Sequence, residues 1–157
     1  MSEEILTSKE AAVKFFSMNQ HLATDDRRLQ ISRALTYFHQ ERNPYKRDIA
    51  PLWQIAGQLM IPNWKIHIGK KGVVRNIWKS DTALIEFLKS ISQHLERKYV
   101  VERSNIESGA LGVVRHTLIR GGSAGATVVK VNDDYTLEIR LLNGRTFTCS
   151  PGQFSIS

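Results

Sequence analysis

The chain has 157 residues, 41% hydrophobic and 24% charged, the size and composition of a folded domain or of one domain with a small appended module, well away from the disordered class. Its single cysteine, Cys149, rules out an intramolecular disulfide framework and any multi-cysteine zinc site, and fits a reducing compartment. The formal charge of +7 arises entirely between Arg42 and Lys79, where eight cations face one acid, Asp48, while the rest of the chain is neutral.

The acidic start lacks the basic tip and apolar run of a secretory signal, so no export is expected. No apolar run approaches the roughly 20 residues that cross a bilayer, so a soluble, cytoplasmic protein without membrane contact is expected. Thr7 and Glu10 form a capping box that starts a first helix near residue 8, carried to about Leu22 by Ala11, Ala12, Phe15, Phe16 and Met18. Thr24 caps a second helix, with Asp25 and Asp26 in its first turn, and Asn43-Pro44 ends it. From Ile49 to Met60, a stripe of Leu52, Ile55, Ala56 and Leu59, with apolar groups on other sides too, predicts a deeply buried third helix.

After Pro62 the period changes to two. Trp64, Ile66 and Ile68 alternate with Lys65 and His67, then Gly69, Lys70, Lys71 and Gly72 lead into Val73 to Trp78, which predicts a β-hairpin with a dibasic tip. Ser80 or Asp81 caps the clearest helix, on which Leu84, Phe87, Leu88, Ile91 and Leu95 share a face. Two strands are expected next, Tyr99 to Arg103 and Val113 to Arg120. Gly121 to Gly125 marks a boundary between a basic α+β domain, residues 1–120, and a β module, residues 122–157. That module reads as strands at Thr127 to Val131, Tyr135 to Leu142 and Arg145 to Cys149, with a tight Asn143-Gly144 turn and a closing Phe154 and Ile156. The expected class is α+β: an N-terminal helical region, a mixed centre with the hairpin and one strong amphipathic helix, and the C-terminal β module.

The stretches Gly125 to Val131, Leu137 to Leu141, Asn143 to Phe147 and Phe154 to Ile156 resemble the small β-barrels of the KOW and Tudor type. The resemblance covers residues 122–157 and implies a small SH3-like barrel, of a kind that decorates nucleic-acid machinery or binds peptides. Four strands are visible where such a barrel has five. Val113 to Arg120 would supply the fifth, and Gly121 to Gly125 would then be a loop inside one barrel.

The basic segment carries all three tryptophans, and cations interleaved with flat aromatic groups suit a phosphate backbone with bases to stack on. The expected contacts with DNA or RNA are Lys46, Arg47, Lys65, Lys70, Lys71, Arg75 and Lys79, with Trp64 or Trp78 stacking on bases; Lys65, Arg75 and Lys79 would line the exposed face of the hairpin. Against this stands the plainer arrangement in which the tryptophans are core and the lysines merely solvated. Three helices and a hairpin also suggest a winged helix, but the third helix offers only Gln54 and Gln58 to base edges, which favours backbone over sequence recognition.

The expected protein is thus a non-catalytic nucleic-acid-binding accessory or regulatory factor. An alternative is an interaction module or inhibitor whose basic face docks an acidic protein surface. A third reading is a metal-independent ribonuclease, through Arg33 and His39, which match the Arg-x-x-x-x-x-His spacing of HEPN ribonucleases, or through His67 and His116 with Lys65 or Arg115 on the phosphate. The five histidines show no i, i+4 pairing and the glycines no P-loop, so neither a metal nor a cofactor is expected.

Overall fold

Thr7 opens the first helix through a reciprocal pair of hydrogen bonds. In the computed structural model, which describes residues 4–69 and 72–157, Glu10 N–H donates to the Thr7 hydroxyl at 3.1 Å and Thr7 N–H donates to Glu10 Oε1 at 3.2 Å, starting α1 (Ser8–Met18). Hydrogen bonds from the Thr7 side chain and then its backbone hold the Glu10 carboxyl below its ordinary range. Helix α1 stops at Met18, short of the expected Leu22, and Gln20–Leu22 forms a separate 3-10 turn. Helix α2 (Asp25–Gln40) is capped by the Thr24 hydroxyl, which accepts from Arg27 N–H at 3.2 Å. Helix α3 (Ala50–Leu59) buries the four residues of the predicted stripe and ends on Met60 in the left-handed region, φ 51°.

Strands β2 (Lys65–Ile68) and β3 (Val73–Asn76) form the expected antiparallel hairpin. A third strand, β1 (Ile5–Thr7), lies parallel to β2 with Leu6 beside Ile66, giving a three-stranded sheet in the order β1-β2-β3. Helix α4 (Asp81–Arg103) starts where Ala83 N–H donates to the Ser80 hydroxyl at 3.3 Å, and it takes in Tyr99 to Arg103, the segment expected as a strand.

The chain divides into two compact units, Met1–Leu95 and Glu96–Ser157. The expected boundary at Gly121 to Gly125 therefore falls inside the second unit, where β5 (Ser123–Val131) runs through Gly125 and pairs with β4 (Leu111–Arg115). In the first unit α1, α2, α3, the sheet and α4 enclose one apolar core. Phe15, Phe87 and Leu88 are fully buried, and Phe87 meets Phe15 and Trp64 edge to face at 5.9 and 6.2 Å. Each such side chain contributes roughly 1.5–3 kcal/mol by leaving water. His94 is buried in the same core with its ring stacked on Phe16 at 4.8 Å.

The second unit carries a five-stranded antiparallel sheet in the order β7-β6-β5-β4-β8, adding β6 (Leu137–Leu141), β7 (Thr146–Cys149) and β8 (Phe154–Ile156). Alternation puts Leu137, Ile139 and Leu141 of β6 inside with Ala126, Val128, Val114 and Phe154, and Val101 and Ile106 join that core. Asn143-Gly144 makes the expected tight turn, with Gly144 at φ 84° and its N–H donating to Leu141 O at 2.9 Å. Gly112 has no room for a side chain, because a Cβ there would lie 2.2 Å from Ser155 O and 2.6 Å from Phe154 Cζ. Among the described residues no ladder joins β7 to β8, so the pairings do not close the expected SH3-like barrel. The sheet nevertheless curls, since Phe147 of β7 reaches the ring of His116 beyond the end of β4, 4.9 Å between centroids. The architecture is α+β, with no helix among the described residues long and apolar enough to cross a membrane.

Candidate nucleic-acid interface

The basic segment begins at the connection between α2 and α3. Asn43 Oδ1 accepts from Tyr45 N–H at 3.1 Å and shapes a 3-10 turn over Pro44–Lys46, which leaves Tyr45 97% exposed and Lys46 exposed beside it. Arg47 is held more firmly. Its Nε donates to Glu41 O at 2.7 Å and its guanidinium lies 5.5 Å from the Phe38 ring, so it caps the carbonyl end of α2. A shallow cavity of about 250 Å3 opens between Tyr37, Phe38, Glu41, Lys46, Arg47 and Asp48. His39 sits nearby with its pKa below the ordinary histidine value, first through partial burial and then through repulsion from Lys89 and Arg47. Arg47 of the connection and Lys89 of α4 thus both act on His39 of α2.

The hairpin register changes the expected face. Opposite residues of an antiparallel pair point the same way, and Ile66 lies opposite Arg75 while Lys65 lies opposite Asn76. Arg75 therefore belongs to the face of Ile66, and Lys65 to the other face with His67. The two cations do not line one surface of the hairpin, contrary to the sequence expectation. Arg75 and Lys79 are exposed and Lys65 is half-buried. The predicted tip residues Lys70 and Lys71 lie outside the described residues.

The tryptophans separate into two roles. Trp64 is half-buried against the first core, edge-on to Phe87, with Lys14 Nζ 5.5 Å from its ring. Its ring packs against that core on one side. Trp78 follows β3 in a 3-10 turn (Ile77–Lys79), remains 39% exposed, and stacks at 6.3 Å and 25° on Trp53. Trp53 is fixed in turn by its Nε1–H, which donates to Asp81 Oδ1 at 2.7 Å. An exposed indole backed by an anchored second indole is a rigid aromatic platform, with Lys79 next to it in the chain. Trp53 and Asp81 are the supports that sequence reasoning missed. They lie 28 residues apart, on α3 and at the start of α4, and no local spacing signals their contact.

The remaining histidine candidates lie on different elements. His67 stands on the outer face of β2 in the first unit, and His116 belongs to the second. Arg33 and His39 both lie on α2, but six residues apart, about 120° apart around the helix. Among the described residues no three His, Cys, Asp or Glu side chains converge as metal ligands would. Cys149 is buried, and burial followed by the charge of Glu138 pushes its thiol up to about 11. Comparison with known protein families, with curated proteins and with solved structures finds no match.

Proposed function

We propose that this chain is a cytoplasmic, non-catalytic nucleic-acid-binding protein that follows the phosphate backbone of DNA or RNA with little sequence preference. The observation that carries the reading is the charge: the whole +7 is confined to Arg42–Lys79, where the exposed Lys46, Arg75 and Lys79 accompany the exposed indole of Trp78. In this reading the cations neutralise phosphates and Trp78, braced by Trp53, stacks on a base. Stacking of this kind is tolerant of sequence because every base has a π face. The order β7-β6-β5-β4-β8, in which β4 supplies a fifth strand beside the closing β8, supports reading the second unit as a small barrel-like module akin to the KOW and Tudor type.

Paired variants test the assignment. Trp78→Ala should weaken binding to single-stranded oligonucleotides by about 2 kcal/mol, roughly thirtyfold, while Trp64→Phe, a change at a packing position, should leave affinity within a factor of two. Lys46→Glu with Arg75→Glu and Lys79→Glu should weaken binding further without loss of helicity, and Lys70→Glu with Lys71→Glu extends the test to the predicted tip. Unchanged affinity in the folded charge-reversal variants would exclude the segment. Tight, salt-insensitive binding to an acidic protein in its place would favour the docking alternative.

A further inference from the structure

The second unit holds an open cleft of about 390 Å3 between the loop after β4 and the turn before β8, lined by Arg115, His116, Thr117, Gly122, Gly152 and Gln153. We propose that this cleft is an oxyanion site that takes a phosphate of the nucleic-acid backbone, a second contact separate from the Arg42–Lys79 segment; the choice of ligand rests on the function proposed above.

The argument starts from the chemistry of the lining. None of the six residues is an acid, and each of the four polar side chains can donate a hydrogen bond. The surrounding sequence repeats the bias. Residues 108–132 contain Arg115, Arg120 and Lys130 without one carboxylate, and residues 139–157 contain Arg140 and Arg145 without one. Both walls of the cleft come from these acid-free stretches.

The internal hydrogen bonds then decide which atoms remain as donors. Leu118 N–H donates to His116 Nδ1 at 3.0 Å, so the proton of the neutral ring resides on Nε2, and the ring is further positioned by Phe147. Gln153 Oε1 accepts from Ser150 N–H at 2.9 Å, which uses the carbonyl of that amide and leaves the NH2 end to donate. His116 N–H donates to Gly122 O at 3.0 Å and Gly122 N–H to Ile119 O at 2.8 Å, closing the loop that carries Arg115, His116 and Thr117. The two side chains whose acceptors are engaged thus retain donors, beside a guanidinium. Donors without competing carboxylates, next to a permanent cation, suit an anion, and guanidinium with imidazole suits the several oxygens of a phosphate.

Two variants separate charge from space. Arg115→Gln removes the cation. Gly152→Leu adds bulk at the lining of the cleft, where a Cβ meets only Ser150 Oγ, at 3.8 Å. The experiment follows the full chain by nuclear magnetic resonance during titration with inorganic phosphate, and then with a short single-stranded oligonucleotide or an Asp/Glu peptide. Saturable phosphate shifts at residues 115–118, 122 and 152–153 are expected, weakened about tenfold in Arg115→Gln and abolished in Gly152→Leu, with both variants retaining wild-type amide dispersion. The oligonucleotide should move the same signals and the peptide should not. Absence of saturable phosphate shifts would overturn the site. Oligonucleotide binding that leaves these signals in place would overturn the cleft while sparing the Arg42–Lys79 reading, whereas phosphate binding here without oligonucleotide binding anywhere would overturn the nucleic-acid assignment of both. Displacement of phosphate by the peptide alone would overturn the choice of ligand.

Discussion

The two units keep their surfaces and cores apart in different ways. In Met1–Leu95 the core is a meeting of helices, closed by aromatic edges at Phe15, Phe87 and Trp64, and the charge is carried by connections and the hairpin that the core merely positions. In Glu96–Ser157 burial follows strand alternation, so one residue in two is committed to the core and the loops between strands carry the polar chemistry. Charge follows the same division. The second unit has eight cations and six acids, a modest excess beside the +7 of Arg42–Lys79 alone. A helical unit can thus concentrate cations in one connection-rich segment, whereas a strand unit distributes them and forms local sites where acids are absent.

Phe87→Ala would strike the first unit hardest. It removes a fully buried ring with edge contacts to Phe15 and Trp64, at a cost of about 4 kcal/mol, and tryptophan emission should change with it because all three tryptophans lie in that unit. Denaturant titration followed by fluorescence measures both. Gly112→Ala is the counterpart in the second unit. The added methyl meets the Ser155 carbonyl and the Phe154 ring, which should cost about 3 kcal/mol and release β8, with tryptophan emission retained at temperatures where the amide signals of 111–156 have collapsed. Simultaneous loss of both signals would break the division into two units.

A smaller effect comes from Cys149. Its folded pKa is raised from 9.0 to about 11, so the folded state keeps a proton that the unfolded chain releases. Its contribution is fully present below pH 9 and is lost as pH rises from 9 towards 11. Alkylation of the native protein at pH 8 should therefore be negligible, and Cys149→Ala should flatten the alkaline fall in stability. Rapid native-state alkylation would show that the thiol is neither buried nor shifted.

Local signals were legible in the sequence and nonlocal pairings were not. The Thr7–Glu10 capping box and the Asn143-Gly144 turn each depend on residues within three or four positions, and both form as expected. Tyr99 to Arg103 misled because Tyr and Val favour strands, yet the segment continues α4, where Lys98 pairs with Glu102 at 2.7 Å and Arg103 donates to Tyr99 at 2.6 Å, both at i, i+4 spacing. Strand β1 is three residues long and finds its partner some sixty positions away, so no periodicity announces it. The candidate interface divided in the same manner. The charge concentration needed only the sequence, whereas the opposite facing of Lys65 and Arg75, and the bracing of Trp78 by Trp53 and Asp81, required register and tertiary contact.

The salt dependence of oligonucleotide binding tests the central claim most directly. If the Arg42–Lys79 segment follows a phosphate backbone, about four or more phosphates should be neutralised, and log affinity should fall linearly with log salt by roughly 0.7 to 0.9 per phosphate. Scrambling the oligonucleotide should change affinity far less than raising salt from low to physiological. A steep slope shared by unrelated sequences is the predicted result, and no detectable binding to DNA or RNA at low salt would contradict it.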